Sequence, residues 1–347
     1  MRIALDAMGS DRAPAPEVEG AVLASKRPGR EIILVGDEAA LNEALAAYPK
    51  RGAVSVAHAP EVITMHDSPV MAVRQKKQAS LLVAQRLVKQ GEADAIISAG
   101  NTGAVMVGAR TILGPIKGVG RSALSQRLPT LYEPVMVLDL GANVDCSARH
   151  LCDFAEMGLV YSKHAYGVEN PRVGLLNIGE EQLKGNELAK AVHRSLSNAG
   201  HINFIGNVEP KALYEGVADV VVCDGFVGNV VLKTSEAVAS LMTQLVRREL
   251  KSTWTSTLGA FLSRGAFKRL KRTIDPNEHP GGLLLGVNGI VVILHGSSTA
   301  QGIANSVDGA CRAAESAITE RIREGIAELR SAEARINGNG LQPGGGI

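Results

Sequence analysis

The sequence predicts an α/β fold: a three-layer α/β/α sandwich in which helices cover both faces of a mostly parallel sheet. Six short apolar runs, each ending at a polar, glycine-rich turn, indicate the strands. Continuous apolar runs are typical of parallel strands buried on both faces. Helix-like periodicity follows most of these turns, and aromatic residues make up only 3% of the chain. The core must therefore consist mainly of aliphatic residues, which suits helices packed on a sheet.

The six predicted strands are spread along the whole chain. They begin at Ile3, Ala95, Val135, Val173, Asp219 and Ile290. Helices are predicted between them at residues 80–90, 187–198 and 234–250, with a long helix or helix pair at 299–334. Because the alternation never pauses, we predict one catalytic domain over residues 1–335. A Gly- and Asn-rich tail over residues 336–347 is predicted to be disordered.

Composition favours a cytoplasmic globular protein. A hydrophobic content of 45% with 21% charged residues is ordinary for that class, and a net charge of +2 gives no general attraction to nucleic acid. The four cysteines lack metal-ligand spacing and are expected to be reduced and inert. The chain begins with a strand rather than a signal peptide, and no apolar run approaches the length of a membrane span.

Polar side chains follow the predicted strands. Ligands of parallel sheets bind beyond the carboxyl ends of the strands, so we expect these side chains to gather along one edge. This set of amides and carboxylates with one lysine suits an anionic, oxygen-rich ligand such as phosphate. Its members are Asn101, Thr102, Asp139, Asn143, Lys184, Asn186, Asp224, Asn229 and His295.

The first turn, SAGNTGA, places Asn101, Thr102 and Gly103 where a helix is predicted to start. Small residues let backbone amides approach an anion at a helix N-terminus. The ordinary alternative is a turn in which Asn caps the helix. We favour the ligand interpretation, because Asn101 and Thr102 together offer more donors than a cap requires.

The second turn, DLGANVDC, carries Asp139 and Asn143. A metal site built from Asp139 and Asp145 is one interpretation. The favoured interpretation is that Asp139 caps the turn by accepting backbone N–H groups, so no metal is predicted.

Three further turns carry the predicted catalytic groups. Lys184 in KGNE precedes a helix start and is suited to a phosphate or an oxyanion. Asp224 in CDGFVGN and His295 in HGSS are predicted to orient the ligand or accept its proton. Asn229 and Ser297, in the same two turns, are predicted to bind the ligand. A solvated lysine and a merely hydrogen-bonded histidine are the alternatives.

Residues 251–274 contain six basic residues, no acidic residue and the only tryptophan. Two apolar stripes on opposite faces predict a helical hairpin with a turn near residues 263–265. Either it packs in an interface or core, or it touches an anionic membrane or an acidic partner. The residues expected to make this contact are Trp254, Leu258, Phe261, Leu262, Arg264, Lys268 and Arg269.

Taken together, these strings resemble the bacterial phosphate acyltransferase family, PlsX. The similarity is collinear from LDAMGSD to HGSS and extends to about Ala310. It implies a phosphotransacetylase-like fold and transfer of a long-chain acyl group from acyl carrier protein to inorganic phosphate. The family often has Lys two residues before the histidine of HGSS, where this chain has Ile293.

The resemblance also implies partners. They are acyl carrier protein, inorganic phosphate, a second copy in a homodimer, an anionic membrane surface contacted peripherally, and a downstream glycerol-3-phosphate acyltransferase that uses the acyl phosphate for phospholipid synthesis. No cofactor is expected, since phosphate itself is the nucleophile. The alternatives are a short-chain phosphotransacetylase, a metal-dependent nicotinamide dehydrogenase, and a non-catalytic membrane scaffold for acyl carrier protein.

Overall fold

The computed structural model describes residues 1–339 of the chain. All six predicted strands are present, and the sheet also contains strands that the sequence patterns did not single out. In chain order the strands of this part of the chain are β1 (Arg2–Asp6), β2 (Glu31–Gly36), β3 (Ala53–His58), β4 (Ala95–Ser98), β5 (Ala123–Leu128), β6 (Val135–Leu138), β7 (Val173–Leu176), β8 (Phe204–Val208), β9 (Val220–Val222), β10 (Gly282–Leu285) and β11 (Ile290–Ile293).

Helices follow most of the strands. They are α1 (Ala15–Ser25), α2 (Glu38–Ala46), α3 (Pro69–Gln75), α4 (Ser80–Lys89), α5 (Thr102–Ile112), α6 (Ala148–Tyr166), α7 (Glu187–Ser197), α8 (Pro210–Glu215), α9 (Gly225–Leu250), α10 (Trp254–Leu262), α11 (Arg264–Ile274), the 3-10 helix Pro276–Glu278, α12 (Ala300–Glu315) and α13 (Ile318–Asn339).

Three predicted helical segments need comment. Helix α9 starts directly after β9, well before residue 234, and the segment after residue 299 is a helix pair, α12 and α13. The predicted hairpin is formed by α10 and α11, which are separated only at Ser263. Helix α13 runs on to Asn339, so residues 336–339 of the predicted tail are helical, and residues 340–347 lie outside the described residues.

The strands are ordered β3-β2-β1-β4-β11-β10-β5-β6-β9-β7-β8 across the sheet. Most neighbours are parallel, but β10 pairs antiparallel with both β11 and β5, and β5 pairs antiparallel with β6. Three reversals leave β6, β7 and β9 running opposite to β1, β4 and β11. The prediction that all the polar turns share one edge is therefore wrong, because the carboxyl ends of the two groups of strands point to opposite edges.

Alternate strand residues build a core on each face of the sheet, which confirms the predicted three-layer sandwich. In β1, Ile3 and Leu5 pack in the core that contains α1, α2, α6, α7, α12 and α13, here called the first face. The intervening Ala4 packs on the second face, with α3, α4, α5 and α8. Since both faces are covered, the six strands predicted from the sequence are apolar at most positions, as expected for parallel sheets.

Glu17 is a fully buried carboxyl in the first turn of α1. Burial raises its pKa from 4.5 to about 7. A raised pKa means that the folded chain holds this proton more tightly than the unfolded chain. The resulting stability is complete below pH 4.5 and is lost as the pH rises towards about 7.

The substitution Glu17→Gln should therefore stabilise the protein at pH 8 but not at pH 4.5. The expected gain at pH 8 is about 3 kcal/mol, from ~1.4 kcal/mol for each unit of pKa. Urea unfolding at both pH values measures the difference. Glu19→Gln, at an exposed position of the same helix, is the matched control and should not reproduce the gain. If the free energy of unfolding changed with pH in the same way in Glu17→Gln and in the wild type, the pKa of Glu17 would not be raised in the folded protein.

Candidate active site

A groove of about 1440 Å³ crosses the second face of the sheet. Its floor is formed by β5, β10 and β11, including Leu124 and Ile293, and α9 forms a long wall. The inner face of α11 closes part of it with Leu270 and Ile274. This groove, the central groove below, lies where the strand direction reverses. It is well above the 300–1,000 Å³ of ordinary small-molecule sites.

Thr102, the first residue of α5, lines the central groove and is exposed to it. Asn101 has a different role. Its Oδ1 accepts the Ala104 N–H at 3.0 Å, and its Nδ2 donates to the carbonyl oxygens of Thr64, Met65 and Asp67. The amide predicted to bind ligand is thus occupied in capping α5 and holding the preceding loop.

Gly103 is required by packing rather than by a ligand. A Cβ at this position would come within 2.6 Å of the Pro69 side chain in α3. Helix α5 can therefore approach α3 closely, and this contact sets the position of Thr102 at the end of the groove.

Asp139 is fully buried and caps the loop after β6. Its carboxylate accepts the backbone N–H groups of Leu124, Ala142 and Asn143, and also the Asn143 amide, at 2.7–3.0 Å. Burial raises its pKa, and these hydrogen bonds oppose the shift. The capping interpretation is confirmed. Across the described residues, no three His, Cys, Asp or Glu side chains are arranged to hold a metal.

The loop held by Asp139 supports the start of α9. Gly225 N–H donates to the carbonyl oxygen of Asn143 at 2.8 Å. One turn later, a Cβ on Gly228 would lie 1.9 Å from the carbonyl oxygen of Asp139. This contact fixes the next residue, Asn229, which is exposed and lines the central groove.

Asp224 and Gly141 complete this end of the site. Asp224 caps α9 by accepting the Val227 N–H at 2.9 Å. Gly141 has φ of +117°, a conformation that L-residues rarely adopt, and it lines the groove beside Asn229. The sequence analysis did not identify Gly141, although its place in the DLGANVDC turn was a usable signal.

His295 and Ser297 both line the central groove. His295 Nδ1 accepts the Ser297 backbone N–H at 3.3 Å and lies 2.8 Å from the Ser297 hydroxyl. Because a backbone N–H can only donate, the proton of the neutral imidazole is assigned to Nε2. Arg12, which sequence reasoning missed, donates to the carbonyl oxygens of Ser297 and Ser298 and braces this loop.

Lys184 and Asn186 lie in the turn after β7, which ends at the same edge of the sheet as β9 and the start of α9, and they are not among the groove-lining residues. Lys184 is exposed, with only a 4.0 Å contact to Glu181. Asn186 caps α7 by accepting the Ala189 N–H at 2.9 Å. Of the predicted set, the structure therefore brings Thr102, Asn229, His295 and Ser297 together.

The thiols of Cys146 and Cys223 do not supply a nucleophile. Burial raises the pKa of Cys146 to about 11 and holds that of Cys223 well above its ordinary value, with nearby Asp139 adding to both shifts. Thiols in this condition stay protonated and unreactive near neutral pH.

Comparison with known proteins gives matches over nearly the whole chain. The family model described as "Fatty acid synthesis protein" matches residues 1–321. The phosphate acyltransferase of Trichlorobacter lovleyi is 46% identical over 344 residues, covering 99% of both chains. That of Pelotomaculum thermopropionicum is 46% identical over 329 residues, covering 95% of this chain and 96% of the relative.

Solved structures share the fold at low identity. A phosphotransacetylase from Streptococcus pyogenes superimposes with a TM-score of 0.61 at 16% identity, covering 91% of this chain and 94% of the other. A branched-chain phosphotransacylase from Enterococcus faecalis gives a TM-score of 0.55 at 16% identity, with 90% and 99% covered. From the sequence matches, the chain belongs to the phosphate acyltransferase family and is an acyltransferase of fatty acid and phospholipid synthesis.

Proposed function

We propose that the protein transfers a long-chain acyl group from acyl carrier protein to inorganic phosphate. The central groove is the observation that carries this proposal. Its floor and walls are largely apolar, from Leu124 to Ile274, and its volume exceeds that of ordinary small-molecule sites. A short acyl group would leave most of this space unfilled, whereas a long chain would bury it.

Phosphate would bind at the polar part of the groove. The Thr102 hydroxyl, the Asn229 amide and the His295 Nε2–H are the donors in reach of a ligand there. Thr102 also begins α5, whose free N–H groups and dipole favour an anion. Holding phosphate beside the thioester carbonyl makes the reaction effectively unimolecular, which can supply a large part of the rate enhancement.

The reaction needs few protein groups. A phosphate oxygen attacks the thioester carbonyl carbon, the carbonyl oxygen gains negative charge, and the thiolate of the carrier leaves as the acyl phosphate forms. Preorganised donors stabilise the developing oxyanion. We assign the donors already named to phosphate and oxyanion, and Asp224 or His295 to orienting the attacking oxygen.

Phosphate dependence tests this proposal. Thioester cleavage of a long-chain acyl carrier protein should require added phosphate, and the rate should fall as the acyl chain is shortened. Equal rates with acetyl and palmitoyl carriers would favour the short-chain phosphotransacetylase. Loss of activity on chelation, restored by a divalent ion, would favour the dehydrogenase-like alternative, and no cleavage at all would favour a scaffold.

Lys184 is the remaining proposed catalytic group, as a cation for phosphate or oxyanion. Lys184→Ala should lower kcat by about 100-fold, the typical effect of removing one such group. The melting temperature should hardly change, because the ammonium makes only a loose, exposed contact. Lys190→Ala, on the helix that follows, is the matched control. If Lys184→Ala turned over as fast as the wild type, Lys184 would have no catalytic role and the site would consist of the groove residues.

We also propose that the α10–α11 hairpin contacts an anionic membrane or a second copy of the chain. The α10 stripe is exposed, with Trp254 at 78% and Leu262 at 75% of their full accessibility. The α11 stripe instead faces the central groove through Leu270 and Ile274. No helix in residues 1–339 is long and apolar enough to cross a bilayer, so this contact would be peripheral. Acyl phosphate could then pass directly to a membrane acyltransferase.

Trp254→Asp separates the two versions of this contact. It should dissociate a homodimer if the stripe is an interface, but should only release the protein from anionic vesicles if the stripe faces lipid. Each basic residue near the surface contributes about 1 kcal/mol, so wild-type binding should weaken with salt. Thr255→Asp adds the same charge at a neighbouring polar position and is the control. If the wild-type protein does not bind anionic vesicles at low salt, the hairpin does not contact an anionic membrane.

A further inference from the structure

A second, small cavity of about 60 Å³ lies on the other face of the sheet from the central groove. Met136, Tyr161 and Leu283, which pack in the core of the first face, line it, together with Arg127 and Arg312. We call it the rear cavity. It plays no part in the proposed reaction.

Two guanidinium groups meet in the rear cavity over one tyrosine ring. The central carbon of Arg127 lies 4.1 Å from the centre of the Tyr166 ring, and that of Arg312 lies 5.4 Å from it. The two cations are therefore no further apart than one Debye length, about 10 Å at 0.1 M salt. They repel each other, and the attraction of each to the ring offsets only about 0.5–1 kcal/mol.

No carboxylate compensates this charge within the described residues. None of the residues that line the rear cavity is acidic. Neither Arg127 nor Arg312 forms an ion pair with a described carboxylate, and Arg127 donates instead to the carbonyl oxygen of Pro134 at 3.1 Å. Arg127 is half-buried and Arg312 is exposed, and two neighbouring arginines without acidic partners are complementary to an anion.

Polar groups around the arginines suit an oxyanion. The hydroxyl groups of Tyr161 and Tyr166 lie 3.4 Å apart, so when one donates to the other, the second is left to donate elsewhere. His279 lines the same cavity, with its Nε2 2.8 Å from the carbonyl oxygen of Thr273. We propose that the rear cavity binds a small phosphoryl oxyanion between Arg127 and Arg312, with a tyrosine hydroxyl as the additional donor.

Binding of an anion in the rear cavity would affect the central groove, because the two spaces share a wall. Arg127, His279 and Gly281 line both spaces, because β5 and the segment before β10 separate them. An anion there would hold this shared wall and neutralise the Arg127 charge next to the groove. The two arginines would bind the anion whichever reaction the groove performs.

Equilibrium dialysis of the full chain against labelled inorganic phosphate tests the proposal. Arg312→Gln should lose one bound phosphate per chain, or bind it at least about tenfold more weakly, which corresponds to ~1.4 kcal/mol. Arg323→Gln removes the same charge from an exposed residue of α13 and should bind as the wild type does. Asn229→Ala should keep the phosphate that depends on Arg312, even if it loses another from the groove.

A parallel dialysis measures how well unlabelled methyl phosphate and unlabelled inorganic phosphate each displace the labelled phosphate. The stronger competitor shows whether the site prefers a monoester or the free ion, and competition by either one supports the site. The double variant Tyr161→Phe, Tyr166→Phe is the second variant, because either hydroxyl can be the donor; it should weaken binding while the thermal unfolding of the protein stays cooperative. Equal phosphate stoichiometry and affinity in the wild type and in a folded Arg312→Gln would overturn the proposal.

Discussion

Asn229→Ala is expected to lower turnover by about 100-fold or more while the protein keeps its fold. Asn229 is exposed, lines the central groove and lies beside Gly141 at the point where α9 leaves the Asp139 loop. Its amide is thus positioned by packed backbone and is free to face a ligand. Steady-state kinetics at saturating phosphate, together with the melting temperature, measure the two effects separately.

Asn186→Ala is the matched control for this prediction. Asn186 caps α7, so its loss should cost about 1 kcal/mol of stability, with a much smaller effect on turnover. Asn229→Asp adds a sharper comparison, because it keeps the shape but places negative charge where phosphate would bind. If Asn229→Asp matched the wild type in its KM for phosphate, Asn229 would not contact that substrate.

Gly228→Ala should have the largest structural effect. Its new Cβ would lie 1.9 Å from the carbonyl oxygen of Asp139, and that oxygen belongs to a loop held by the buried carboxylate of Asp139. Backbone held in this way cannot move aside cheaply. We expect a loss of about 1–3 kcal/mol, typical of overpacking, and a collapse of turnover because Asn229 moves with α9.

Gly259→Ala provides the matched Gly-to-Ala control. Gly259 lies inside α10, and a Cβ there would meet nothing within 4 Å. The same substitution should therefore stabilise the protein slightly, by at most about 1 kcal/mol of helix propensity, and leave turnover unchanged. Chemical denaturation of both variants measures the contrast. A Gly228→Ala variant as stable and active as Gly259→Ala would show that the packing of α9 does not position the site.

Local patterns were sufficient to predict much of the fold. Apolar runs ending at glycine-rich turns identified six strands that are all present, because strands covered on both faces must be apolar throughout. The opposed stripes of residues 251–274 predicted the break between α10 and α11, since helical periodicity reports which face of a helix is apolar.

Strand direction could not be read from the same patterns. An apolar run has no direction until its neighbours are known, and the reversal depends on β5 and β10, which were not recognised from the sequence. The β5 sequence ALSQRL is partly polar, because Gln126 borders the groove and Arg127 the rear cavity. Because polar residues line the cavities at these positions, β5 lacks the continuous apolar run that identifies a buried strand.

The same ambiguity affects the site. Asn101, Asn186 and Asp224 each follow a strand and each cap a helix, and a cap and a ligand contact require the same residue types. Thr102, Asn229 and His295 also follow strands, but they line the central groove. That difference arises from the packing of α5 and α9 across the sheet, which sequence spacing does not report.

Direct detection of acyl phosphate tests the central claim. Palmitoyl carrier protein is incubated with the enzyme and inorganic phosphate, hydroxylamine traps any acyl phosphate as the hydroxamate, and free carrier protein is quantified in parallel. We expect hydroxamate in proportion to the released carrier, only when phosphate is present, and far less with Asn229→Ala. Release of carrier protein together with free fatty acid, at a rate that does not depend on phosphate, would contradict the account.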